Sequence, residues 1–362
     1  MRTFLLLALL HGCSSAWAMS VTFIAPGYPH EAYWLGVSEV MQRAAQDLGI
    51  QLTTKYAERD RLREISLVGE IAALPAAQRP DYLIVAGEKR TLPEQLKLAE
   101  IVQLPIFLIA NNPTDEERPI VGQPRERFKN WLGSLTPQME SAGYMTGRAL
   151  IEAGLQAGLQ DQQGQLHMLA LSGSRSTDAS IRRNRGLHRA LTEFPQVVLH
   201  QWVHAEWRQD KAYFQTQHLL RRYPQTSLIW SGSDLMAFGA MQAAEEAGHH
   251  PGQDLLFSAI NTSQPAMQAV IAGRLSALAG GHYMAGAWAL VVLYDYHQGI
   301  DFAQTEGLEM ERPLFTLFSP AQAQHFLEAA GATPDFRKHS KALNPALLRY
   351  DFSYCQLPGS EG

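Results

Sequence analysis

Short apolar segments alternate along this chain with stretches of helical periodicity, and that alternation constrains the fold more than any other feature. Val21-Thr22-Phe23-Ile24-Ala25 is the first such segment. After a Pro/Gly turn, Tyr33, Trp34, Val37, Val40, Met41, Ala44, Ala45 and Leu48 recur at helical spacing up to Gly49, which predicts a strand followed by an amphipathic helix. The unit returns after apolar runs over 82–86, 105–110 and 166–171, and again after 197–200, 227–230 and 255–260. Strands that are apolar throughout, separated by helices, predict parallel sheets covered on both faces. The length suggests two domains at about 100 to 200 residues each, and with 46% of the 362 residues hydrophobic the chain can bury two substantial cores. The expected fold class is therefore α/β, with two doubly wound parallel-sheet lobes in place of one very wide sheet.

The N-terminus sets the expected compartment. Arg2 precedes the apolar run Phe4 to Leu10, and Ala16-Trp17-Ala18 puts small residues at the two positions a signal peptidase reads. Residues 1–18 are thus expected to be a secretory signal peptide cleaved after Ala18, leaving a periplasmic protein that starts at Met19. The rival reading takes Leu10-His11-Gly12-Cys13 as a lipoprotein site with Cys13 acylated, although His11 is polar where such sites are small or apolar. The formal net charge is −5, and losing Arg2 makes it −6. An acidic chain argues against nucleic acid as a partner. After cleavage at Ala18 only Cys355 remains, and one thiol makes no internal disulfide.

In doubly wound sheets ligands bind outside the carboxyl ends of the strands. The residues there are Pro26 to Trp34, Gly87-Glu88-Lys89, Asn111-Asn112, Thr136, Ser172 to Arg183, Ser231 to Asp234, Asn261-Thr262-Ser263 and Gly280 to Tyr283. They are polar and aromatic with few cations, which suits a polyhydroxylated, neutral ligand better than a nucleotide.

The segment Ser233-Asp234-Leu235-Met236-Ala237-Phe238-Gly239-Ala240-Met241 resembles a signature of the type I periplasmic solute-binding proteins, the ribose- and galactose-binding family. There Asn-Asp precedes a Met-Ala-x-Gly-Ala helix. Ser174 to Gly186, ending Ile181-Arg182-Arg183-Asn184-Arg185-Gly186, resembles the family helix whose Arg three residues before a Gly clamps the sugar, which implies Arg183 as the clamp. Tyr28-Pro29-His30-Glu31-Ala32-Tyr33-Trp34, Asn111 after an apolar strand, and Ser233 before Asp234 look more like the LuxP-type autoinducer receptors. Pro29, Glu31, Asn261 and Gly280 depart from the family's ligand residues, so the scaffold carries over better than the ligand. The resemblance implies two lobes joined by three crossovers, near Thr136-Pro137, between Gln264 and Gly281, and near Thr316. Residues 19–136 and 282–316 would form the N-terminal lobe, and 137–281 and 317–362 the C-terminal lobe.

The expected ligand-binding residues are Glu31, Tyr33, Trp34, Asn111, Arg183, Ser233, Asp234, Asn261 and His282. Trp34 has two roles open to it, stacking on a sugar face or plain core, since it lies on the apolar phase of its helix. Arg183 offers a planar guanidinium for vicinal hydroxyls or a carboxylate, while Arg182 and Arg185 beside it are read as solvated. Asp234 suits both a helix cap and a ligand contact, and is expected to face Arg183 across the ligand from the opposite lobe. Asn111 and Asn261 also read as ordinary turn residues.

No His-Glu-x-x-His, Gly-x-Ser-x-Gly or Gly-x-x-x-x-Gly-Lys motif occurs in the sequence, so no catalytic residue, metal or cofactor is expected. LacI-type repressors share the fold the resemblance implies but need a basic DNA-binding headpiece, and this N-terminus reads as a signal peptide. Three classes of function remain: a monomeric binding protein that docks its closed, liganded form on the membrane permease of an ABC importer, a receptor that docks on the periplasmic domain of a sensor kinase, or a doubly wound enzyme. Hinge closure serves both docking readings, because it exposes a composite surface.

Overall fold

The computed structural model describes residues 19–329 and 333–352. The expected signal peptide with its Ala18 cleavage site, Cys13 and Cys355 lie outside the described residues. In chain order the strands are β1 (Ser20–Ala25), β2 (Gln51–Tyr56), β3 (Tyr82–Val85), β4 (Ile106–Ile109), β5 (Trp131–Pro137) and β6 (Leu166–Ser172). There follow β7 (Val197–His204), β8 (Leu228–Ser231), β9 (Leu256–Ile260), β10 (Ala277–Gly280), β11 (Glu309–Arg312) and β12 (Thr316–Leu317). They form two sheets of six, in the orders β11-β5-β4-β3-β1-β2 and β12-β10-β9-β8-β6-β7. Every pairing is parallel except β12 against β10.

The central strands β3, β4, β5 and β6 are buried along their whole length, as continuous apolar runs require when helices cover both faces. At the edges, β2 is partly exposed throughout and β7 is half-buried at every position. Edge strands need only one apolar face, so Gln51–Tyr56 carries no apolar run for sequence to reveal, and β7 extends four residues past the run over 197–200.

The lobes are joined after β5, where the chain enters the helix Met139–Gln156 at Gln138; through residues 281–284 after β10; and through residues 313–315 between β11 and β12. The second crossing falls at the expected boundary between 281 and 282, and the helix Gln264–Ile271 and β10 before it belong to the second sheet's lobe.

The C-terminal segment departs from expectation. Residues 317–362 were assigned to the second lobe, and the helix Pro320–Glu328 does pack beside Gln264–Ile271 there. Phe336, Tyr350 and Phe352, however, sit in the first lobe's core with Phe23 and Trp288, so the chain passes between the lobes a fourth time after Glu328. The physical reason lies in the helix Ala285–His297, which is buried almost all round. A helix apolar on every side must be covered on every side. Phe336 and Phe352 each meet the Trp288 ring at 5.4 Å, and buried Asp295 accepts the backbone N–H groups of Lys341 at 2.7 Å and Ala342 at 3.1 Å.

One helix contact positions the site. The helices Met139–Gln156 and Asp178–Glu193 cross so closely that a Cβ at Gly143 would lie 1.9 Å from the Arg183 carbonyl oxygen, and one at Gly186 would lie 2.0 Å from that of Glu140. Backbone-to-backbone contact of this kind leaves no freedom in the height of Arg183.

Candidate ligand site between the lobes

The carboxyl ends of both sheets face each other across a cavity between the lobes. From the first lobe come Glu31, Tyr33 and Trp34 after β1, Arg59 after β2, Glu88 after β3, and Asn111 after β4. The second lobe and the crossovers supply Met139, Ala179, Arg183, Trp207, Ser233, Leu235, Asn261 and His282. The structure thus brings together eight of the nine expected residues.

Asp234 is the exception. It is buried at 1% exposure but stands behind the wall, where its Oδ1 accepts Asn261 Nδ2 at 2.7 Å and its neighbour's Leu235 N–H at 2.8 Å. Burial pushes its carboxyl upward from the usual carboxylate range. The helix cap is Ser233, whose hydroxyl accepts from Met236 N. Arg183 and Asp234 belong to the same lobe, on helices following β6 and β8, so they do not oppose each other across the cleft.

Arg183 is almost wholly buried. Its Nη1 donates to Gly232 O at 2.7 Å and its Nη2 lies 3.1 Å from His282 Nε2, while Nε has no protein partner. The guanidinium sits over the Trp207 ring at 5.5 Å and the Phe315 ring at 6.0 Å, a cation–π sandwich that offsets part of its desolvation. Burial lowers its pKa to about 10, so it is still charged at neutral pH. His282 is driven well below the usual histidine range by burial and then by the Arg183 charge. As a neutral ring it accepts from Arg183 through Nε2, which assigns its proton to Nδ1, an atom without a protein partner. Tyr33 stacks on His282 at 4.7 Å and 21° and meets Trp34 edge-on at 4.8 Å. Trp34 does both things open to it: it lines the cavity with an unpartnered Nε1, and its ring is 2% exposed in the core beside Phe23.

Opposite these groups, Arg59 holds two carboxylates. Its Nε donates to Glu31 Oε2 at 3.1 Å and its Nη2 to Glu31 Oε1, while Nη1 donates to both oxygens of Glu88 at 3.0 and 2.9 Å. Burial raises the Glu31 pKa and Arg59 opposes the rise. Such forked pairing leaves lone pairs on each carboxylate able to accept further hydrogen bonds.

Asn111 is a latch as well as a lining residue. Its Nδ2 donates to Ala86 O at 2.8 Å, and its Oδ1 accepts the Ala179 N–H of the other lobe at 2.9 Å. Arg182, read from sequence as solvated, donates to Asp178 at 3.0 Å and across the lobes to Glu311 at 3.1 Å. Arg185 is half exposed and pairs with Asp115 at 2.6 Å.

Sequence reasoning did not pick Arg59, Glu88, Met139 or Trp207. Glu88 lay in the strand-end inventory and was passed over. Arg59 and Trp207 follow β2 and the hidden half of β7, and the strand-end rule would have found both had those strands been read to their ends. Among the described residues no group of three or more His, Cys, Asp or Glu is placed to hold a metal ion.

Residues 21–301 match the sequence model of the periplasmic binding protein domain. The chain belongs to the periplasmic binding protein family. Among solved structures, this periplasmic binding protein is similar to a periplasmic sugar-binding protein from Pseudomonas fluorescens, with 39% identity, a TM-score of 0.83, and coverage of 92% of this chain and 98% of that one. It is 22% identical over 253 residues to the D-apiose import binding protein of Actinobacillus succinogenes, covering 70% of this chain and 73% of that protein. The similarity to the HTH-type transcriptional repressor PurR of Erwinia tasmaniensis, 30% over 114 residues, takes in 31% of this chain and only 30% of the repressor.

Proposed function

We propose that this protein captures one neutral sugar or sugar-like polyol per molecule in the interlobe cavity and, as a monomer, presents it to the membrane permease of an ABC-type importer. The observation that carries the reading is the chemistry of the cavity wall. Two carboxylates, Glu31 and Glu88, balance two guanidiniums, Arg59 and Arg183, so a neutral ligand leaves no charge uncompensated. Trp34 Nε1, Arg183 Nε and the His282 Nδ1–H are buried donors without protein partners, and the carboxylates are acceptors. A hydroxyl both donates and accepts, so a ring of vicinal hydroxyls satisfies both sets, and unsatisfied buried polar groups are costly enough to favour such a ligand. The Tyr33 and Trp34 rings supply the apolar surface that a sugar's C–H face requires. The 39% identity to a sugar-binding protein and the likeness to a D-apiose import protein support the same class.

In this reading Glu31, Tyr33, Trp34, Asn111, Arg183, Ser233, Asn261 and His282 contact the ligand or the lobe closure around it, Asp234 orients Asn261, and the ligand leaves unchanged. Export follows cleavage after Ala18, and the intact mass of the secreted protein distinguishes this from acylation at Cys13. The decisive experiment is calorimetry of the mature protein against neutral sugars, polyols, sugar phosphates and divalent metals. One-to-one binding of a neutral sugar is expected; binding confined to phosphorylated compounds or metals overturns the proposal.

A further inference from the structure

The inner cavity is sealed unevenly. On the side of β4, Asn111 and Asn112 hydrogen-bond directly to Ala179 N and Asp178 of the other lobe. On the opposite side Glu31 and Arg59 face Trp207 and Leu235, and among the described residues no hydrogen bond or ion pair joins those two pairs across the gap. Beyond that gap lies a second, outer chamber of about 650 Å³ that opens to solvent, and Glu31, Arg59, Trp207 and Leu235 line both spaces.

The outer chamber carries aromatic surface from both lobes. Tyr28, 40% exposed, stacks on His30 at 5.3 Å on one side. On the other, Phe214 is 59% exposed on the helix Gln209–Arg222. A large aromatic left this open forgoes part of its burial, and here two such faces flank the mouth of a cavity whose wall mixes rings with buried charged and polar groups. Their apolar surface is suited to a ring stacked in the chamber.

We infer that the ligand is longer than one sugar ring: a disaccharide or glycoside whose terminal sugar fills the inner cavity and whose second group passes between Arg59 and Trp207 to lie against Tyr28 and Phe214. This rests on the inner cavity being a sugar site. It adds that the passage beside Arg59 is the route by which the second group leaves that cavity, and that the rim aromatics select for it.

The test is calorimetry of the mature protein against two matched sets, free pyranoses and furanoses on one side and their disaccharides and phenyl glycosides on the other, repeated with Phe214→Ala and Tyr28→Ala. At least one disaccharide or glycoside is expected to bind ten-fold or more tightly than its parent monosaccharide. Either substitution should erase that advantage while leaving monosaccharide affinity unchanged. Monosaccharides binding at least as tightly as every extended ligand overturns this inference and leaves the sugar site standing, as does a Phe214→Ala protein indistinguishable from wild type. Binding of neither set overturns both.

Discussion

His282 stacks on Phe315 with ring centroids 4.5 Å apart at 30°, and the two rings come from different crossovers between the lobes. Because His282 also stacks on Tyr33 and meets Arg183, the floor of the cavity is made from the hinge itself. Replacing His282 with Ala removes the acceptor of Arg183 Nη2 and one stacked face. Ligand affinity is expected to fall roughly 5- to 150-fold, the range for one buried hydrogen bond of about 1 to 3 kcal/mol, as read by calorimetry.

The same histidine makes a pH prediction. With its pKa held well below 6.5 by burial and by Arg183, His282 gains no proton between pH 7.5 and 5.5. Affinity should therefore show no step from this ring over that window, and His282→Asn should leave the shape of the affinity–pH profile unchanged. A ten-fold loss centred near pH 6.5 would show that the ring titrates as an ordinary exposed histidine does.

Trp34→Ala tests the balance between core and site. At 2% exposure in the first lobe's core, truncation is expected to cost about 3 to 5 kcal/mol in urea unfolding. Ligand binding should be lost as well, even at temperatures where the variant is folded.

Asn261→Asp places a second carboxylate against Asp234, whose Oδ1 now accepts Asn261 Nδ2 at 2.7 Å. Two buried carboxylates in contact cannot both ionise. Stability at pH 7 should drop by about 2 to 4 kcal/mol. The introduced pair has a raised folded-state pKa, so the deficit is present above the unfolded value near 4 and shrinks as pH falls toward it. Denaturant titrations at pH 7.5 and 4.5 measure the difference; an equal deficit at both would assign the loss to shape instead of charge.

Glu64 lies behind the ligand-side carboxylates and accepts at one oxygen from Glu88 N, Thr91 Oγ1 and Gln95 Nε2. Burial, then repulsion from Glu88, pushes its pKa up to about 8. A carboxyl raised in this way contributes stability that is full below its unfolded pKa near 4.5 and is lost as pH rises through 8. Glu64→Gln keeps the acceptor and removes the titration. The variant should match wild type near pH 4.5 and be more stable at pH 9, by on the order of 2 to 4 kcal/mol; equal pH profiles would refute this.

Local pattern determined much of the architecture. β1, β3, β4 and β6 were legible because a strand covered on both faces must be apolar at every position, and a run of such residues is visible without knowing its neighbours. The register of the helix carrying Arg183 came from the resemblance, which set Arg183 three residues before Gly186, and both residues are buried in the structure with Ala179, Leu187 and Ala190. By itself the sequence therefore specified two parallel-sheet lobes and most of the strand ends that meet between them.

Tertiary structure alone decided the rest, because those features depend on what lies opposite a residue. β2 sits at a sheet edge and needs no apolar run, so Arg59 beyond it, held in a left-handed turn at φ 63°, carried no local signal. Trp207, at the same φ, becomes a site residue only when Arg183 lies across its face. Asp234 looks identical in sequence whether it faces the ligand or, as here, a neighbouring Asn261. The C-terminal segment reads as a continuation of the second lobe until the all-round apolar helix Ala285–His297 is seen to have an uncovered side. Periodicity records how each element partitions between core and water, whereas contact between residues distant in sequence arises only when the sheets and crossovers have fixed the geometry of both partners.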